Sequence, residues 1–67
     1  MPFIWVELAE GRSLEQRRSF AKAVTQAAVV HLGAPTERVA IRFLDILPTD
    51  FARGGVLTVD AQSREVP

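Results

Sequence analysis

SLEQRRSFAKAVTQAAVVHLGAP, Ser13 to Pro35, reads as one uninterrupted helix with a start and a stop signal. Ser13 and Gln16 stand in the capping-box spacing, where each side chain satisfies an orphan backbone donor near the other. Ala21, Val24, Ala28 and Leu32 recur at three- and four-residue intervals. Leu14, Phe20 and Ala27 widen that apolar stripe. Arg17, Arg18, Lys22 and Gln26 supply a polar side. Gly33 suits the residue just past a helix end, and Pro35 prevents resumption. The predicted span, residues 14–32, makes a rod of about 28 Å.

Outward from the helix, both flanks read as strands. Pro2 to Leu8 is rich in aromatic and β-branched residues. Phe3, Trp5 and Glu7 share one face, and Ile4, Val6 and Leu8 the other. Ala9 to Arg12 is a turn in which Gly11 is free to take positive φ. Residues 38–47 form the second predicted strand, with Val39, Ile41 and Phe43 as its helix-facing set. Pro48, Thr49 and Asp50 make a turn, and Val56 to Val59 a short third strand. Strand, long helix and strand permit a right-handed crossover between parallel strands, with the helix on one sheet face. The expected fold is α+β: a single β-α-β unit with a short C-terminal strand or hairpin. Residues 1–58 form the domain, and residues 59–67 a loosely held polar tail.

Composition narrows the function classes. A chain of 67 residues is one small domain, and so small a core supplies about 3–5 kcal/mol. There is no cysteine, which excludes disulfides and thiolate-held metal centres. Eight basic residues balance eight acidic ones, which argues against a nucleic-acid partner or a membrane-surface binder. No apolar run approaches the roughly 20 residues of a membrane span. The first residues lack the basic region of a signal peptide, so the expected location is cytoplasmic. Yet 48% of the residues are hydrophobic, and a two-stranded sheet with one helix leaves a sheet face bare. Self-association is the expected remedy.

The familiar catalytic constellations are missing. His31 is the single histidine, placed to stabilise a helix end. Gly54-Gly55 lacks the strand and helix that frame a phosphate loop. Ser13 is occupied by capping, and no spacing of carboxylates suggests a metal site. What remains is Pro2. Removal of Met1 would give it a free secondary amine, and an α-amino group titrates near about 8. Apolar surroundings or nearby arginines lower that value. Such an amine is partly neutral at physiological pH and suited to general base work.

Pro2, Glu10-Gly11-Arg12-Ser13 before the helix, Ala34-Pro35 after it, and Phe51-Ala52-Arg53-Gly54-Gly55 stand in register. This pattern resembles the short-chain 4-oxalocrotonate tautomerase family over roughly residues 2–57. The resemblance implies dimers assembled as a trimer of dimers, with pockets at subunit contacts, and a reaction without a cofactor. It implies that Pro2 shuttles a proton between the enol oxygen and a carbon of a small anionic 2-oxo acid such as 2-hydroxymuconate. Arg12 would bind a substrate carboxylate, as a guanidinium does with two hydrogen bonds. Phe51 would wall the pocket.

One departure accompanies the resemblance. The family's second arginine, at the start of the second strand, aligns with Ala40. Arg38, Arg42 and Arg53 are the candidate replacements. A glutamate near the aromatic position, which the family's dehalogenase branch uses to activate water, is replaced by Arg53. Heterohexameric members imply a further alternative, in which this chain is a diverged or non-catalytic partner subunit.

Overall fold

The computed structural model describes residues 2–65, with side chains through residue 61. Strand β1 spans Phe3–Ala9, helix α1 spans Leu14–Leu32 and strand β2 spans Ala40–Ile46. A two-residue hairpin follows, β3 at Ala52–Arg53 and β4 at Val56–Leu57, and then helix α2 over Thr58–Glu65. β1 and β2 pair in parallel, from Phe3 against Ala40 to Ala9 against Ile46. β3 and β4 pair antiparallel. This is the α+β fold expected, a β-α-β unit with a C-terminal hairpin.

The ends of α1 fall where the sequence puts them. The Ser13 hydroxyl accepts from the Gln16 N–H at 3.1 Å, and the Gln16 side-chain oxygen accepts from the Ser13 N–H at 2.8 Å. Gly33 is left-handed, at φ 69°, and its N–H reaches the Val29 carbonyl at 3.2 Å. A glycine tolerates that conformation without the Cβ clash other residues meet.

Several boundaries differ from the sequence reading: β1 runs one residue later at each end than residues 2–8, and β2 stops at Ile46 instead of residue 47. Thr36–Arg38 forms a 3-10 turn, so β2 begins at Ala40 and Arg38 lies outside it. The third strand stops at Leu57, because Thr58 opens α2 instead of continuing to Val59. The Thr58 N–H and hydroxyl both donate to the Phe51 carbonyl, and the Val59 N–H donates to that of Pro48. These bonds turn the chain back on the Pro48 loop and take it out of the ladder. The helix continues into residues expected to be loosely held; residues 66 and 67 of that tail lie outside the described residues, as does Met1.

Ile4, Val6, Ile41 and Phe43 face α1, as the alternation predicts. The Phe20 ring meets Phe43 edge-on with centroids 6.1 Å apart. On the helix the covered positions are Arg17, Ala21, Val24, Thr25, Ala28 and Val29. Leu14, Ala27 and Leu32, predicted as part of the stripe, are exposed. Geometry explains this. A 19-residue helix runs about 28 Å, whereas the two strands cover about 20 Å. Its ends overhang.

Ala28 is the only buried residue among those described. The opposite sheet face carries Phe3, Trp5, Glu7 and Ala9 beside Ala40, Arg42, Leu44 and Ile46. Phe3 is 69% exposed there and Trp5 70%. The protomer exposes 5433 Å², against about 4,200 Å² for a compact monomer of its mass. Its radius of gyration is 15.9 Å, against about 11 Å for a compact domain of this length. An isolated protomer of this shape leaves its apolar surface unsatisfied.

Candidate active site

The parallel pair places the candidate residues at two ends of the protomer. Pro2 lies at the first, just ahead of β1. Its carbonyl accepts a hydrogen bond from the Ala40 N–H at 3.1 Å, which extends the ladder by one rung and fixes the residue beside the start of β2. Arg38 ends the turn that leads into this strand. Arg42 lies two residues beyond Ala40, opposite Trp5, on the open sheet face.

The second end is about 20 Å away, at the other end of β1. An open groove of about 590 Å³ lies there. Ala9 and Glu10 contribute from the end of β1, and Ile46, Leu47 and Pro48 from the end of β2. Phe51, Arg53 and Thr58 complete it. The Arg53 guanidinium carbon lies 5.5 Å from the centroid of the Phe51 ring, within the range of a cation–π contact. The hairpin that carries both residues turns through Gly54 and Gly55, at φ 62° and 81°. Two consecutive positive φ values require residues tolerant of that region, and glycine is the least strained choice.

Arg12 belongs to a different recess. It lines a smaller groove of about 220 Å³ on the helix side of the sheet, with Leu8, Gln16, Arg17 and Phe20. The loop that carries it is bent by Gly11 at φ 108°. Within one protomer, therefore, Phe51 and Arg53 come together, Arg38 and Arg42 belong to the Pro2 half of the fold, and Arg12 stands apart from both groups.

An interaction missed in the sequence lies beside the Arg12 groove. Arg17 donates to Asp45 at 2.5 Å, tying α1 to β2, and its guanidinium carbon is 5.9 Å from the Phe43 centroid. The signal was present: Asp45 has the parity of Ile41 and Phe43, so it points to the helix. No group of three or more His, Asp or Glu side chains among the described residues could hold a metal ion. No helix among the described residues is long and apolar enough to cross a membrane.

These features define a class. Residues 2–61 match the family model described as "Tautomerase enzyme", and the chain belongs to the tautomerase family, whose members are isomerases. A relative from Lactococcus lactis described as a probable tautomerase is 40% identical over 55 residues, covering 82% of this chain and 90% of its own length. A 4-oxalocrotonate tautomerase isozyme from Methylibium petroleiphilum superposes with a TM-score of 0.88 at 30% identity, covering 94% of this chain and 98% of its own. A heterohexameric 4-oxalocrotonate tautomerase from Chloroflexus aurantiacus superposes with a TM-score of 0.80 at 28% identity, over 90% and 97% of the two chains.

Proposed function

We propose that the chain is a cofactor-independent tautomerase that interconverts the enol and keto forms of a small anionic 2-oxo acid, with Pro2 as the proton carrier. The observation that carries this reading is the rung between the Pro2 carbonyl and the Ala40 N–H. Once Met1 is removed, it leaves a secondary amine whose position is set by the sheet. The neutral nitrogen takes the proton of the enol hydroxyl and returns one to a carbon of the conjugated system. Substrate and product are isomers, so no redox partner or metal is needed. Water and a flexible base would do this slowly; a positioned base contributes about 10²- to 10⁴-fold.

The anion is held by arginines. Arg12 takes a carboxylate, and Arg38, Arg42 and Arg53 are the candidates for the position occupied by Ala40. Phe51 walls the site. Because Pro2 and the Phe51 groove lie about 20 Å apart in one protomer, a working site draws Pro2 from one copy and the groove from another. The unsatisfied sheet face and the excess exposed area support self-association, with a homohexamer as the expected form; a cytoplasmic location belongs to the same proposal. A second reading, a diverged subunit of a heterohexamer, is favoured by the alanine at position 40 and by the likeness to the Chloroflexus protein.

The test follows 2-hydroxymuconate and phenylenolpyruvate by absorbance as the enol decays, on protein whose intact mass shows Met1 removed. The expected result is turnover that Pro2→Ala lowers at least about 100-fold. Undiminished turnover in that variant, or retention of Met1 in active protein, refutes Pro2 as the base. Activity appearing only with a co-purifying second subunit selects the heterohexamer.

A further inference from the structure

We propose that a second copy of this chain covers the open face of the β1–β2 sheet, and that Glu7 of one copy pairs with Arg42 of another across that contact. The inference rests on the self-association put forward above and deepens it, by naming the charge pair that sets the register in which copies meet. Three observations lead to it.

The first is the pattern of charge. Glu7 and Arg42 are the only ionisable side chains on this face, and every other position on it is apolar. Both are exposed in the protomer, and among the described residues neither has an ion-pair partner. They are diagonal neighbours on adjacent strands, Arg42 opposite Trp5 and Glu7 opposite Leu44, about 7–8 Å apart along the backbone.

The second is their setting. Glu7 lies between Trp5 and Ala9 on β1, and Arg42 between Ala40 and Leu44 on β2. Any body that covers Trp5 takes both charges out of water, and a buried charge without a partner is costly. The third is area. The protomer exposes about 1,200 Å² more than a compact monomer of its mass, and Phe3 and Trp5 place part of that excess on this face. A standard interface takes roughly 800 Å² from each partner.

Together these choose the occupant. A wholly apolar partner strands both charges, and a partner of one sign satisfies only one of them. A second copy offers Arg42 to Glu7 and Glu7 to Arg42, each within the same apolar surroundings. A guanidinium grips a carboxylate through two parallel hydrogen bonds, so the pair fixes direction as well as distance. The apolar residues supply adhesion, and the charges supply register.

The experiment uses sedimentation and native mass spectrometry on Glu7→Arg, on Arg42→Glu, on the double swap, and on the two single variants refolded together. Each reversal sets like charges against each other at the contact. Each is expected to raise the dissociation constant at least about 100-fold, the scale of breaking a buried pair, and so to give smaller species at micromolar concentration. The double swap should return the wild-type size. The mixture should form assemblies that contain both chains, because a face with two cations meets a face with two anions. A pair made within one protomer stays broken in both chains and cannot give that last result. Wild-type size in either single variant, a double swap that stays dissociated, or a mixture whose two chains stay apart overturns the proposal. Where a single variant fails to fold alone, the double swap and the co-refolded mixture still decide. A monomeric wild type defeats self-association itself, whereas an assembled wild type whose reversals change nothing defeats only the pair.

Discussion

Arg17 and Asp45 meet at 2.5 Å between α1 and β2, with the guanidinium carbon of Arg17 also 5.9 Å from the Phe43 ring centroid. The pair spans the interface that holds helix and sheet together. Its side chains are 27% and 45% exposed, so solvent screens the attraction, and the ion pair contributes at most about 1 kcal/mol. Arg17→Ala should cost more than Asp45→Asn, because it also removes the aliphatic stem and the ring contact. Urea unfolding of both variants and their double variant measures the difference; equal losses would show that only the charge matters.

The helix caps make a second prediction. Ser13→Ala removes the hydroxyl that accepts the Gln16 N–H and should cost about 1 kcal/mol. Gly33→Ala places a Cβ on a left-handed residue and should cost about 1 kcal/mol as well. Thermal unfolding at fixed protein concentration checks both, and activity at low temperature should be unaffected by either, since neither touches the groove.

Assembly gives a third. With Phe3 and Trp5 so exposed, the chain should sediment far above its 7.4 kDa mass, as a hexamer at micromolar concentration. Trp5→Arg places a second cation opposite Arg42 on the open sheet face and should release smaller species. A wild type that sediments as a stable monomer contradicts the expectation.

The pH dependence has a definite sign. A base must be unprotonated to accept the enol proton, so kcat/KM should fall as pH drops through the pKa of the Pro2 amine and level off above it. Any lowering of that pKa by apolar surroundings moves the fall to more acidic pH. A profile flat from pH 5 to 9 (about three units below and one above an ordinary α-amine) would argue against an amine base.

The helix was legible to the residue, because Ser13, Gln16, Gly33 and Pro35 encode its ends locally. The pairing of β1 with β2 was legible because alternation distinguishes the two faces. The end of β4 was not: bonds from Thr58 and Val59 back to Phe51 and Pro48 are tertiary, and no local propensity announces them. Leu14 and Leu32 were read as core from helical spacing alone, whereas the short sheet beneath α1 decides what is covered. For the site, Phe51 and Arg53 were marked separately, but their stacking depends on the hairpin turn. That Arg12 opens into another recess depends on the sheet lying between the two grooves.

The distance between Pro2 and the Phe51 groove has a genetic corollary. Damage at the two ends of the strand should complement. A Pro2→Ala protomer is expected to be inactive in pure assemblies, and an Arg53→Gln protomer to be impaired. Unfolded together and refolded as a mixture, they should regenerate a minority of intact sites, and so recover turnover that neither preparation has alone.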